Sequence, residues 1–307
     1  MFDTIEVYIH ISRQFVDLSN FVPIGYMEGH CYINGINYVY NYRNSTLKIK
    51  VTTYKVLGKL YSTLSDYDDF TNGVVRLFNV VVKDKTISKK QIFIKRIDMK
   101  VDCKLTDMEL ILFKQIKDKH YSNYKYMSKK QDYETSVHLN NSNGQYNFNS
   151  YNKYEQSKNM DFWNIWRIEV QCKKSMLRKN YIRDGLINTL DNYWSIDGFN
   201  EYFFQFLTPY FNKGDYYRLD VARDLIRKSN YSKTIKNNLC KFVTRINRYG
   251  MTGVKGKYYN YVTMKKYCEL LDNIDVNPVT IDIGSNPTYM ENILKKCKRI
   301  VEEKYFV

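Results

Sequence analysis

Two short stretches of this 307-residue chain are near copies: RIDMKVDCK at 96–104 and RIEVQCKK at 167–174. Both alternate. In the first, Ile97, Met99 and Val101 fall on one side, and Arg96, Asp98, Lys100 and Asp102 on the other. In the second, Trp166, Ile168, Val170 and Cys172 oppose Arg167, Glu169, Gln171 and Lys173. Period two is the mark of a half-buried β-strand, because successive side chains leave opposite faces of the pleat. Two such strands in one sheet, polar faces matched, would bring Asp98 and Glu169 within reach of a single ion.

Other segments alternate in the same way. TIEVYIHI, GHCYINGINYVYNY and STLKIKVTTYKVLG read as strands near the N-terminus, and DDFTNGVVRLFNVVVKD as a short helix. Thr106 or Asp107 opens a helix, DMELILFKQIKDKH, and the polar, Tyr/Lys-rich stretch 119–134 reads as a loop or lid. In TSVHLNN, Ser136, His138 and Asn140 oppose Val137 and Leu139; after the turn NSNG, QYNFNSYNKYE sets Tyr146 and Phe148 against Asn147, Asn149 and Tyr151. An Asn-Gly turn between alternating runs predicts a hairpin. A loop at 155–162 leads to the second copy, and from Met176 the chain reads as helical except near 252–262 and 277–283. The expectation is an α+β protein: residues 1–175 as a mainly antiparallel sheet with flanking helices, and 176–307 as a mainly helical region. The polar faces of the sheet would carry Asp98, His138, Tyr151 and Glu169.

Composition narrows the partners. An apolar fraction of 44% excludes a disordered chain, and no run approaches the ~18 apolar residues of a membrane span. The opening MFDTIEVYIHI lacks the basic lead of a secretory signal and reads as a first strand. Six scattered cysteines form no CxxC pair, as expected of reduced thiols in the cytoplasm. The net charge of +16 calls for a polyanion. Residues 176–307 hold 22 Lys/Arg and 14 Asp/Glu, yet Lys228–Lys266 contains ten basic residues and no acid. Within it Ser232 is a plausible N-cap for a helix that Gly250 stops, and Thr263 can cap MKKYCELLDNI. Helix, basic loop, helix over 228–274 fits a helix-turn-helix-like or winged module gripping duplex phosphates. Its DNA-facing candidates are Lys233, Lys236, Lys241, Arg245, Arg248, Lys255, Lys257, Lys265 and Lys266.

Carboxylates with a histidine make an oxygen/nitrogen site for Mg²⁺ or Mn²⁺, here Asp98, Glu169 and His138. Asp102 lies four residues from Asp98, roughly 13 Å along a strand, too far to share the ion. A tyrosine facing such a site can attack a phosphodiester, but a phenol with a pKa near 10 needs help to ionise. Tyr151, with Lys153 nearby, is the foremost of 30 tyrosines because of its place in SYNK on a polar strand face; Tyr154 and Tyr146 compete with it.

The order RIDMKVD, TSVHLNNSNG, FNSYNKYE, RIEVQCKK over residues 1–175 resembles the rolling-circle replication initiators of small Gram-positive plasmids and their filamentous-phage relatives. MFDTIEVYI and LKIKVTTYKVLG are also similar to the phage members. The resemblance implies a nicking and joining enzyme whose tyrosine forms a 5′-phosphotyrosyl link and frees a 3′-OH. It places Tyr151 at the nucleophile, Lys153 at its lysine, and Asp98 and Glu169 at the metal-binding acids. It also implies origin DNA, a hairpin-forming duplex, bound by the helical tail within a homodimer, with a host helicase and polymerase as partners. A non-catalytic origin-binding initiator or regulator with the same fold is the alternative. An RNA-binding or membrane-surface protein would use the charge but leave the matched acids unexplained.

Overall fold

The computed structural model describes residues 1–59, 61–120, 129–133, 136–140, 145–185 and 187–305. The fold is α+β. Its strands are β1 (Phe2–His10), β2 (Val22–Ile24), β3 (Glu28–Ile33), β4 (Ile36–Asn41), β5 (Thr46–Thr52), β6 (Phe93–Lys104), β7 (Lys129–Tyr133), β8 (Ser136–Asn140), β9 (Tyr146–Asn152) and β10 (Ile165–Lys173). They form one antiparallel sheet in the order β2-β3-β4-β5-β1-β6-β10-β9-β8-β7. The twin strands β6 and β10 are neighbours at its centre.

Several local features differ from the sequence reading. GHCYINGINYVYNY is a hairpin, because Asn34 and Gly35 both take positive φ and turn β3 into β4. In STLKIKVTTYKVLG the strand ends at Thr52, whose side chain accepts from Lys55 N and caps helix α1 (Thr53–Leu57). Within 119–134, read as a loop or lid, β7 pairs with β8; backbone partners decided this where the side-chain pattern gave no signal. The turn NSNG, 141–144, lies outside the described residues.

Helices α2 (Tyr67–Asn79) and α3 (Asp107–Lys117) follow the expected amphipathic runs, α3 opening on a Thr106/Glu109 capping box. The loop expected at 155–162 contains a short helix, α4 (Lys153–Ser157), and a 3₁₀ turn, Met160–Phe162. Beyond β10 come α5 (Lys174–Asp184), α6 (Leu190–Tyr193), α7 (Ile196–Phe199), a π-helical segment Asn200–Gln205 and α8 (Phe206–Phe211). Helices α9 (Leu219–Lys228), α10 (Lys233–Val254), α11 (Tyr261–Asp272) and α12 (Ile293–Tyr305) complete the chain. A two-stranded sheet, β11 (Tyr216–Tyr217) with β12 (Tyr289–Met290), is too short to leave a periodic trace in sequence.

Ser232 caps α10 as expected, and Gly250 breaks its helical path with φ 67°. The cap of α11 is Asn260, which accepts from Thr263 N; Thr263 is inside the helix rather than its cap. The apolar sheet face is buried under helices: Trp166 meets Phe113 of α3 edge-on at 4.9 Å, and Cys103 meets Cys297 of α12 with sulfurs 3.1 Å apart. Among the described residues no helix is long and apolar enough to cross a membrane.

Candidate active site

Register decides which side chains meet. Antiparallel pairing of β6 with β10 sets Asp98 opposite Gln171, Lys100 opposite Glu169 and Asp102 opposite Arg167. On the other side of β10, Glu169 faces Asn149 and Arg167 faces Tyr151, while Asn149 faces His138 and Tyr151 faces Ser136. Asp98, Glu169, Tyr151 and His138 therefore share one face, opposite the one that carries Trp166 and Cys103. Asp98 and Glu169 occupy diagonal positions on adjacent strands, a spacing of roughly 7–8 Å.

The two arginines of the twin motifs act differently. Arg96 forks back onto its own motif's acid, donating from Nε to Asp98 Oδ1 at 2.7 Å and from Nη2 to Oδ2 at 2.5 Å. Arg167 reaches across strands instead and grips Asp102 through two 2.6 Å bonds, both residues buried. Glu169 is left with neutral donors: Gln171 Nε2 at 2.6 Å, Asn149 Nδ2 at 3.3 Å and the Tyr151 hydroxyl at 3.5 Å. His138 Nδ1 meets Asn149 Oδ1 at 2.8 Å, so Asn149 lies between the histidine and Glu169. Asp3 holds Lys100, which would otherwise neutralise Glu169 from directly opposite.

The electrostatics follow from burial. Desolvation pushes the Asp98 carboxyl up to about 7 in spite of Arg96, and the Glu169 and Asp3 charges add to the rise. Burial also raises the Tyr151 phenol; Glu169 reinforces this and Arg167 opposes it. Burial lowers the Lys153 ammonium, with Arg167 adding like-charge repulsion. Lys153 sits at the start of α4, where Asn152 caps the helix by accepting from Glu155 N. Its Nζ donates to Gln156 at 2.6 Å and lies 6.0 Å from the centre of the Tyr151 ring.

A cleft of about 480 Å³ opens on this face, with Tyr151, Glu169, His138, Asn149 and Ser136 in its walls. Of the competing tyrosines, Tyr146 is on the opposite face, stacked on Phe206 at 4.4 Å, and Tyr154 packs edge-on against Trp163 at 4.8 Å. The geometry thus brings Tyr151, Lys153, Asp98, Glu169 and His138 to one face and separates the other two tyrosines from it. Sequence reasoning missed Arg167 and Asp102 as site residues. The alternation already put both on the polar face; their pairing needed the strand register.

Asp98 and Glu169 carry the carboxylate oxygens that Mg²⁺ or Mn²⁺ takes, but both Asp98 oxygens are held by Arg96, which a cation would have to displace. Among the described residues no three His, Cys, Asp or Glu side chains converge into a closed metal cluster. The expected DNA-facing residues occupy α10, the following loop and α11. Beside that loop Arg245 lies over the rings of Tyr258 and Tyr259, and Lys257 over those of Tyr249 and Tyr258; Lys265 pairs with Glu269 at 3.7 Å.

No family's sequence profile matches the chain, and no curated protein is significantly similar to it. Among solved structures, it is similar to the rolling circle replication initiator protein from Geobacillus stearothermophilus. The TM-score is 0.34 and the identity 13%, over 61% of this chain and 79% of that one. A likeness that low carries no functional weight.

Proposed function

We propose that the chain is a replication initiator that nicks one DNA strand by tyrosine attack and starts rolling-circle replication. The observation that carries this reading is the placing of the Tyr151 hydroxyl 3.5 Å from a Glu169 carboxylate oxygen, on a face that also holds Asp98 and Arg167. A nucleophile beside a base, with cationic groups near both, is the arrangement that phosphoryl transfer needs once the two close to within about 3.2 Å. The motif order resembling rolling-circle initiators supports the same assignment.

In this mechanism Glu169 accepts the phenolic proton as Tyr151 Oη attacks phosphorus. The Tyr–O–P bond forms, the P–O3′ bond breaks, and the released oxygen takes a proton from water to become the 3′-OH that primes synthesis. Proton transfer concerted with attack suits a phenol held protonated by burial, because no free phenolate has to accumulate. Arg167, fixed by Asp102, and Lys153, presented by the Asn152-capped turn, place positive charge where the phosphate gains negative charge. Asp98 and Glu169 would hold Mg²⁺ or Mn²⁺, which supplies Lewis-acid stabilisation of that phosphate. Basic residues of α10 and α11 bind the origin duplex.

A second reading, an origin-binding regulator that does not nick, is favoured by the depth of Tyr151, only 8% exposed. The test is incubation with Mn²⁺ and supercoiled DNA carrying the chain's own flanking origin, resolved on a denaturing gel. The nickase reading expects a covalent protein–DNA adduct from wild type and none from Tyr151→Phe. Tight origin binding with no adduct from wild type selects the regulator.

A further inference from the structure

The helices before and within the acid-free basic stretch face each other across a groove of about 430 Å³. Its walls have a regular origin. On α9, Ala222 and Ile226 are buried in the core, which turns Arg223 and Arg227, four residues apart, toward the groove. On α10, Leu239, Phe242, Val243 and Ile246 are buried, and Asn237, Lys241 and Arg245 line the facing wall at the same four-residue interval. Each step is about 6 Å along a helix axis. Two rows of cations therefore look at each other, and no acid is among the lining residues. Asp224, exposed and outside the lining, pairs with Arg227 at 2.8 Å.

Two details separate this groove from an ordinary solvated basic surface. The Nε of Arg223 is buried and has no hydrogen-bond partner among the described residues. A buried N–H left unpaired costs about 1–3 kcal/mol, and a phosphate oxygen recovers that loss once the Arg223 side chain turns its Nε into the groove. Arg245 is also held in place before any ligand arrives: its guanidinium lies 4.7 Å from the Tyr258 ring centre and 5.3 Å from that of Tyr259. It also donates to the Tyr259 hydroxyl at 3.0 Å. A fixed planar cation loses little freedom on binding a phosphate, which is where an arginine surpasses a lysine.

We infer that the α9–α10 groove seats backbone phosphates of DNA, with Arg223 as the buried donor and Arg227, Lys241 and Arg245 as the surrounding cations. The inference rests on the DNA-binding part of the proposed function. It extends the interface to Arg223 and Arg227, which precede the acid-free window on a different helix. It also makes the groove a shaped seat rather than a source of diffuse attraction.

The test is fluorescence anisotropy of the full chain with a dye-labelled duplex of arbitrary sequence, titrated with KCl, after equal melting midpoints show that each variant is folded. Arg227→Gln/Lys241→Gln should weaken binding and make the plot of log affinity against log salt shallower by about 0.9 for each phosphate no longer neutralised, roughly 2 in all. Arg223→Lys keeps the charge but removes the buried donor; it should weaken binding while leaving the slope near that of wild type. A control, Lys83→Gln/Lys85→Gln, removes equal charge from the loop after α2 and should change neither. Equal losses in the control and the groove variant, or unchanged affinity and slope in the groove variant, overturn the seat while duplex binding by wild type stands. Wild type that binds no duplex even at low salt overturns the seat and the DNA reading together. A matched RNA duplex bound more tightly than DNA also overturns it.

Discussion

Replacing Asp98 with asparagine should make the protein more stable at neutral pH, although it removes one side of a two-pronged ion pair. Asp98 is 2% exposed, and desolvation, with the Glu169 charge adding to it, lifts its carboxyl from an ordinary 3.8 to about 7. That value already includes the attraction of Arg96, so burial outweighs the pair. Between pH 4 and pH 7 the folded chain holds a proton on Asp98 that the unfolded chain does not. Stability from this group is therefore full below about pH 4, falls as pH rises, and is lost above about pH 7. At about 1.36 kcal/mol per pH unit the loss totals about 4 kcal/mol. Asn resembles the neutral acid and escapes it. Urea unfolding followed by tryptophan fluorescence should show Asp98→Asn more stable by about 4 kcal/mol at pH 8 and by a clearly smaller margin at pH 5. Mn²⁺ added at pH 8 should move wild type toward the variant and leave the variant unmoved, since a cation beside the acids offsets the same cost. A variant no more stable than wild type at pH 8, or a gain of equal size at both pH values, would refute the reasoning.

Asp102→Asn should lower stability by about 3–5 kcal/mol, seen as a lower melting temperature, because it strands the buried Arg167 guanidinium. Asn152→Ala removes the α4 cap, which is worth about 1 kcal/mol; nicking should slow while DNA affinity, measured by anisotropy, is retained. Gly214→Ala would put a methyl group 2.3 Å from the Val276 carbonyl carbon, so the backbone must shift, and a urea midpoint should show a loss of about 1–3 kcal/mol.

Much of the fold was legible because the central strands put apolar side chains on one face and polar ones on the other, although both faces turn out to be buried. Alternation in RIDMKVDCK and RIEVQCKK marked both strands and correctly assigned every side chain to a face. Helix ends marked by Ser232, Thr106 and Gly250 were readable for the same local reason. Sequence was silent where long-range pairing decides. Strand β7 exists through its bonds to β8, and β11–β12 joins segments more than seventy residues apart. The site divides similarly. Parity gave the shared face of Asp98, Tyr151, Glu169 and His138, but only the register shows that Arg96 is taken up by Asp98 and Arg167 by Asp102. Burial, which raises Asp98 and Tyr151, is a tertiary property with no local signature.

The central claim is that Tyr151 carries the chemistry, and peptide mapping of the adduct tests it most directly. Wild type is incubated with Mn²⁺ and its origin DNA, digested with nuclease and trypsin, and the nucleotide-bearing peptide is sequenced by mass spectrometry. The account predicts a 5′-phosphodiester on Tyr151. A nucleotide on Tyr154, on Tyr146 or on any other residue would contradict it, as would origin DNA left uncut.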